Sequence, residues 1–264
     1  MLKYLAISGL AVALMFVCAP KALADSWIEV GTTAWNTQLY GTVYSTTGTV
    51  NSSINLQDDL GMERHWNPEF YFVLYTPGFF IPNVRVEYEK ITGNGTNSGN
   101  GTIVYNGVVY KANGNLLSQA ALKQARVLFF WSPLDNSVVN LRLGLDLRWV
   151  SANLALTGTA VTISPPSTYR ATTSAGAVSW LPLANLGLTV HLPANFDVDI
   201  VASYIAYKSS YLYDFRAGIA YHFGFGLSLK AGYRRYRLKV DDSNFSLNGD
   251  LDFKGPYAGL SWRF

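Results

Sequence analysis

Apolar and polar residues alternate in several long segments of this chain. In the clearest segment, 138–151, every second position is apolar, namely Val139, Leu141, Leu143, Leu145, Leu147 and Trp149. The positions between them are polar, charged or glycine, namely Asn140, Arg142, Gly144, Asp146 and Arg148. Charges at every second position cannot be buried in the core of a soluble sandwich without partners. They suit the inside of a barrel whose apolar face meets lipid.

The same alternation closes the chain. Counting back from Phe264, the residues of one face are Trp262, Leu260, Ala258 and Pro256, while Arg263, Ser261 and Tyr257 share the other. A terminal aromatic residue after such a strand is typical of bacterial outer-membrane β-barrels. We therefore predict that four residues form the signal for membrane insertion: Tyr257, Leu260, Trp262 and Phe264.

Ten strands follow from the alternating segments, at 27–44, 68–76, 84–91, 116–131, 138–151, 177–192, 196–208, 211–223, 226–240 and 251–264. The predicted fold is all-β, a closed up-and-down antiparallel transmembrane barrel of about ten strands. Eight and twelve strands are the alternatives, because strand ends shift by about two to four residues in such predictions. Short connections at 77–83, 132–136, 193–195 and 224–225 are predicted periplasmic turns. Long segments at 45–67, 92–115, 157–174 and 241–250 are predicted extracellular loops, which places both termini in the periplasm.

The N-terminal segment reads as a secretory signal. Lys3 precedes an apolar stretch at 5–17, and Ala22-Leu23-Ala24 supplies small residues for cleavage, so residues 1–24 are predicted to be removed. Residues 25–264 then form one barrel domain. The single cysteine, Cys18, lies in the signal, which leaves no thiol for disulfides or metal sites.

Composition favours a membrane barrel over a soluble protein. Charged residues make up 14% of the chain, against about a quarter in soluble domains. Beyond the signal no apolar run approaches the roughly 18 residues of a membrane helix. Lys3 and Lys21 contribute two of the three net positive charges, so the mature chain is nearly neutral and no nucleic-acid partner is expected. A secreted sandwich is the soluble alternative, but its outer faces should be polar.

Charged residues of the polar faces are predicted to meet inside the barrel. The set proposed as a lumen network or pore lining is Arg85, Glu87, Arg126, Arg142, Asp146, Arg148, Asp214, Arg216, Lys230 and Arg234, with Glu29, Glu89, Asp199 and Arg263 on the same faces. A barrel of about ten strands is narrow, and unpaired charges in it would be costly. We therefore expect a plugged lumen. The alternative is a narrow porin-like channel for small solutes or anions, with arginines as its selective residues.

Three basic residues share the opposite face near the predicted outer end of one strand. Arg235, Arg237 and Lys239 are candidates for contact with lipopolysaccharide phosphates, since arginine matches phosphate geometry. Unspecific lipid contact is the alternative.

An outer-membrane lipid-modifying enzyme is the third and most distant interpretation. It needs a nucleophile or activated water with a base in reach. His191 and His222 fall at predicted periplasmic strand ends, and His65 lies in a loop without a recognised motif. We predict no catalytic residue, no metal site and no cofactor. The expected partners are outer-membrane lipid and lipopolysaccharide, periplasmic chaperones and the barrel insertion machinery, with the protein acting as a monomer.

Several motifs in order resemble one known family. They are Ile54–Gly61, Pro77 with Ile81–Arg85, Gly144–Arg148, Gly232–Arg235 and Leu251–Tyr257. On these residues the chain resembles a family of small Gram-negative outer-membrane β-barrel proteins of uncharacterised function. Tyr75-Thr76 departs from the acidic residue and histidine expected before Pro77. The resemblance implies location and architecture, and no activity.

Overall fold

The computed structural model describes residues 27–47, 50–78, 80–97, 102–105, 108–111, 116–163, 166–241 and 248–264. The predicted signal peptide, 1–24, lies outside these residues. The strands are β1 (Trp27–Thr47), β2 (Val50–Asn55), β3 (His65–Tyr75), β4 (Asn83–Asn97), β5 (Thr102–Tyr105), β6 (Val108–Lys111), β7 (Leu116–Asp135), β8 (Val139–Ile163), β9 (Pro166–Leu192), β10 (Phe196–Tyr207), β11 (Ser210–His222), β12 (Leu227–Val240) and β13 (Asn248–Arg263). No helix in this part of the chain is long and apolar enough to cross a membrane.

Ten of these strands close into an antiparallel barrel, which confirms the predicted fold and strand number. Each pairs with its neighbours along the chain, in the order β1-β3-β4-β7-β8-β9-β10-β11-β12-β13. The first and last strands close the ring, from Glu29 opposite Arg263 to Tyr44 opposite Asn248. The three short strands β2, β5 and β6 lie outside this order, on the β1 and β8 sides.

Short connections gather at the end of the barrel that holds the first and last described residues, Trp27 and Phe264. Ile28 and Phe264 exchange backbone hydrogen bonds of 3.0 and 2.9 Å there. A 3-10 turn at Pro193–Asn195 joins β9 to β10 at the same end. We call this the turn end and the opposite one the loop end.

One predicted loop is wrong. Segment 157–174 was expected to be irregular because it is rich in Thr, Ser and Pro, yet β8 and β9 stay paired from Val139 opposite Val190 to Ile163 opposite Pro166. Threonine occupies six of these positions, and threonine favours an extended strand. The hairpin therefore continues beyond the rest of the barrel. β4 likewise extends to Asn97, into the predicted loop 92–115.

The apolar face of the barrel wall changes side along some of the long strands. On β8, Leu143, Leu145 and Leu147 are exposed on the outside, whereas Val150 and Leu154 are buried inside. The apolar positions thus switch from odd to even numbers after Trp149. Since successive residues of a strand face opposite sides, the wall is apolar outside near the turn end and apolar inside near the loop end.

Other strands switch at a similar place. On β12, Leu229 and Tyr233 are exposed outside, and Tyr236 and Leu238 are buried. We call the part of the barrel from the turn end up to this switch the lower section, and the rest the upper section. The lower section has the outer surface of a membrane barrel, and the upper section has the apolar interior of a water-soluble one.

Candidate functional site

The centre of the lower section is filled by buried ion pairs. Arg234 donates from Nε to Asp214 at 2.8 Å, and from Nη1 to Glu89 at 2.8 Å and Glu69 at 3.1 Å. All four side chains are buried. One guanidinium group from β12 therefore joins carboxylates from β11, β3 and β4 across the lumen.

A second arginine extends this network on the far wall. Arg148 donates to Asp146 at 2.6 Å and to Asp214 at 2.9 Å. Arg126 lies 2.9 Å from Asp146, and all of these side chains are at most 4% exposed. The strands β7, β8 and β11 are thereby tied together inside the barrel.

Arg216 completes the connection. It donates to Glu69 at 2.8 Å and to Glu87 at 2.6 Å, and Glu87 also accepts from Arg85 at 3.0 Å. The resulting ionic layer contains five arginines and five carboxylates: Arg85, Arg126, Arg148, Arg216, Arg234, Glu69, Glu87, Glu89, Asp146 and Asp214.

Charge balance makes the ionic layer possible. Five positive and five negative groups cancel, and buried charges are tolerated when each is paired and hydrogen-bonded. Glu69 was missing from the predicted set. It lies between Pro68 and Phe70, and the predicted outward face of Phe70 already implied an inward Glu69.

Three of these carboxylates lie as close together as the ligands of a metal ion would. Oxygen atoms of Glu69, Glu87 and Glu89 lie within 4.8 Å of one another. Arg216 and Arg234 donate hydrogen bonds to all three. Guanidinium groups therefore supply the positive charge that a metal ion would bring.

Above the ionic layer the lumen is filled by an apolar plug. Its buried residues include Trp35, Leu39, Val43, Ile54, Leu56, Leu60, Met62, Ile91, Tyr105, Tyr110, Leu116, Leu122, Leu154 and Leu156. Tyr105 donates to the carbonyl of Leu154 at 3.0 Å, and burial raises the pKa of its hydroxyl. The plug is thus neutral as well as apolar.

Below the ionic layer the lumen opens into a lower cavity of about 1010 Å³. Lys230 donates to Glu29 at 2.7 Å, and Arg142 pairs with Asp199. Two predicted members of the lumen network, Arg142 and Lys230, therefore line this cavity rather than the ionic layer.

The wall of the lower cavity carries a hydrogen-bonded chain across four neighbouring strands. Asp197 binds His191 Nδ1 and His222 Nε2, each at 2.8 Å, and His222 Nδ1 lies 2.7 Å from the Ser228 hydroxyl. The connections resemble those of a nucleophilic triad. The serine, however, is buried and does not line the cavity, so its hydrogen bond positions His222. Sequence reasoning found both histidines at strand ends but not their shared carboxylate. His65 lies elsewhere, at the start of β3.

On the outside, two of the three predicted lipopolysaccharide contacts already have partners. Arg235 donates to Asp252 at 3.0 and 2.8 Å, and Arg237 donates to Asp250 at 2.7 Å. Lys239 lies opposite both Tyr211 and Asp250 in the ladder. The two arginine charges are therefore largely neutralised by β13.

Another outward pair was not predicted. Lys90 and Lys123 lie directly opposite each other on β4 and β7, both exposed, two residues above the outward-facing Tyr88. Within the described ranges neither has an ion pair. Like charges in this arrangement repel. A single strand pattern could not reveal the pair, because it depends on the register between two strands.

The residues of the predicted insertion signal occupy two faces. Leu260, Trp262 and Phe264 are exposed on the outside. Tyr257 points into the lumen, where the glycines Gly218 and Gly232 leave room for its hydroxyl. A Cβ at Gly218 would lie 2.3 Å from that oxygen.

Comparison with known proteins identifies the architecture. The fold is similar to that of the outer membrane protease OmpT from Escherichia coli, with a TM-score of 0.61, 8% identity, and coverage of 94% of this chain and 99% of that chain. The fold is that of the Gram-negative outer-membrane barrels. The toluene transporter TodX of P. putida aligns with a TM-score of 0.34 and 11% identity over 93% of this chain and 91% of that chain. Ail of Yersinia pestis aligns with a TM-score of 0.34 and 9% identity over 91% of this chain and 99% of that chain.

No family model and no curated protein matches the sequence. The likeness to OmpT, at 8% identity, shows the fold alone. The predicted architecture, a small barrel of the outer-membrane type, is therefore confirmed. Membership of a particular family of uncharacterised function stays a prediction.

Proposed function

We propose that this protein is an integral outer-membrane barrel with a closed lumen, and that it serves as a structural, lipopolysaccharide-binding surface protein without catalytic activity. The ionic layer carries the proposal. Its five arginines and five carboxylates are mutually paired, and the apolar plug lies directly above them. Hydrated ions would have to break buried ion pairs and then cross an apolar region.

The outer surface of the lower section supports the membrane placement. Leucines 143, 145 and 147 are exposed there, and only lipid makes such a surface favourable around a closed barrel. In this proposal the turn end, with Trp27 and Phe264, faces the periplasm. Periplasmic chaperones and the barrel insertion machinery would deliver the chain, which acts as a monomer.

Outward-facing cations support the lipopolysaccharide part. They lie at the switch between the lower and upper sections, and we call them the basic collar: Lys90, Lys123, Arg235, Arg237 and Lys254. Phosphate groups of an outer-leaflet glycolipid would lie at this height. Cations next to an anionic membrane surface add about 1 kcal/mol of binding each.

Planar-bilayer recording tests the closed lumen. Purified protein is expected to give no steady current, while an open porin reconstituted in parallel shows that insertion is detected. A steady current would support the narrow-channel alternative. In that case Arg216→Ala should change its ion selectivity, because Arg216 belongs to the charged ionic layer that any permeating ion would have to cross.

A further inference from the structure

The barrel wall has an open seam between β9 and β10. The ladder between these strands ends at Tyr204 opposite Ala184, although β10 continues to Tyr207 and β9 continues far beyond. Residues 181–183 pair with β8 on their other side, and no described strand pairs with them on this side. Backbone groups that lack a hydrogen-bond partner are costly in lipid, so a seam at the membrane surface favours an occupant.

An apolar cleft of about 230 Å³ lies behind the seam. It is lined by side chains of five strands, among them Val150, Leu181, Ile205, Leu212 and Leu238. The small residues Ala152 and Ala177 are part of the same lining. Larger side chains at these two alanines would fill it.

The seam lies at the upper edge of the outward apolar surface. Tyr204 and Trp180, which flank it, are 55% and 69% exposed on the outside of the barrel. Aromatic residues of this kind mark the boundary between lipid chains and headgroups. The cleft can therefore be reached sideways from the outer leaflet.

Two lysines lie at the edge of the cleft, together with one carboxylate, Asp241, whose backbone donates to the lining residue Ser210. Lys239 contributes to its lining, and Lys208 is exposed at the tip of the β10–β11 hairpin. An apolar space with cations at its edge matches a molecule that has a hydrocarbon chain and an anionic head.

We propose that the apolar cleft binds one acyl chain of an anionic outer-leaflet lipid, which enters between β9 and β10. The cleft volume corresponds to about eight groups of the size of a water molecule, at about 30 Å³ each, so it holds part of a chain and leaves the headgroup at Lys208 and Lys239. This inference rests on the proposed outer-membrane placement. It does not depend on the basic collar or on the closed lumen.

Photo-cross-linking in vesicles of phosphatidylglycerol tests the inference. A benzophenone amino acid replaces Ile205, which faces the cleft, or Ile200, which faces outward on the same strand. Mass spectrometry then identifies lipid adducts. We expect an adduct at both positions, and a lower yield at position 205 in phosphatidylcholine vesicles.

Filling the cleft provides the second measurement. Ala177→Phe in the position-205 protein should reduce the adduct at least tenfold, whereas Ala184→Phe, which adds the same bulk on the outer face of β9, should leave it unchanged. If Ala177→Phe fails to fold, Ala177→Val should give a smaller reduction in the same direction.

The remaining outcomes separate the two proposals. An adduct at position 200 with none at position 205 overturns the acyl-chain site and leaves the membrane placement intact. An adduct at position 205 whose yield is unchanged by Ala177→Phe has the same meaning. A cross-link from 205 to the protein's own chain also overturns it, because another segment then occupies the cleft. Absence of adducts at both positions contradicts the membrane placement itself.

Discussion

The guanidinium carbon of Arg234 lies 4.3 Å from the centre of the Trp35 ring. Both side chains are 1% exposed, so the contact is a cation–π interaction away from water. Arg234 belongs to the ionic layer and Trp35 to the apolar plug. The two fillings of the lumen therefore meet at this contact.

Removing Arg234 should destabilise the barrel strongly. Arg234→Ala leaves Asp214, Glu69 and Glu89 without a shared donor, and breaking a buried ion pair in this way costs about 3–5 kcal/mol. Equilibrium unfolding from lipid vesicles in guanidinium measures the change in the free energy of unfolding.

The adjacent residue provides the control for that prediction. Arg235→Ala removes an exposed pair with Asp252, which is worth about 0–1 kcal/mol. If both variants lost similar stability, the buried network would not be what holds the lower section together.

Gly31 should be intolerant of a side chain because of one neighbour. A Cβ at this position would lie 2.3 Å from the Tyr71 ring, and overpacking of this kind costs about 1–3 kcal/mol. We expect Gly31→Ala to be destabilising in the native background and close to neutral with Tyr71→Ala. Gly224→Ala, with open space around its Cβ, should be neutral. Unfolding free energies of the four variants decide this, and an equal cost with and without the tyrosine would refute it.

Lys90 and Lys123, which form no ion pair with the described residues, should bind lipopolysaccharide more strongly than the paired Arg235 and Arg237. Lys90→Gln with Lys123→Gln removes two cations that have no counter-ion among the described residues, worth roughly 25-fold in affinity together. Arg235→Gln with Arg237→Gln should have a smaller effect, since Asp252 and Asp250 already neutralise these charges. Arg170→Gln, on the part of β9 farthest from the membrane, is the control. Quantified lipopolysaccharide in purified samples gives the answer, and the reverse order would exclude this assignment.

The apolar plug should weaken at alkaline pH. Burial raises the pKa of Tyr105 above the ordinary value of 10.0, so the unfolded hydroxyl ionises first. The unfolded plug then binds fewer protons, and the free energy of unfolding falls as pH rises above about 10. Tyr105→Phe should make this fall shallower. Protease sensitivity of the loop end against pH measures it, and identical pH profiles would contradict the buried placement of the hydroxyl.

The alternation of β8 shows how far the sequence alone could be interpreted. From Leu141 to Trp149 the odd positions are apolar and the strand was predicted correctly. Beyond Val150 the apolar positions are even, because the lining of the plug replaces contact with lipid. Segment 157–174 lies beyond this switch, and it was predicted as a loop because it is rich in Thr, Ser and Pro.

The sequence predicted which charged residues of the ionic layer face the lumen, but not which of them pair with each other. Arg148 and Asp214 are 66 residues apart, and their 2.9 Å contact depends on how the barrel closes. The same is true of Asp197, which binds two histidines from neighbouring strands, and of the pair Lys90 and Lys123. The side of the wall that a residue faces follows from the two-residue period of its strand. Its ion-pair or hydrogen-bond partner depends on the register between strands and on how the barrel closes.

Placement of the leucines on β8 is the most direct test of the account. A nitroxide attached at Leu145→Cys, in the cysteine-free chain predicted after signal cleavage, reports its own surroundings in lipid vesicles. The account predicts fast relaxation by oxygen dissolved in the lipid and little relaxation by a water-soluble nickel complex. Strong relaxation by the nickel complex, with little effect of oxygen, would contradict it.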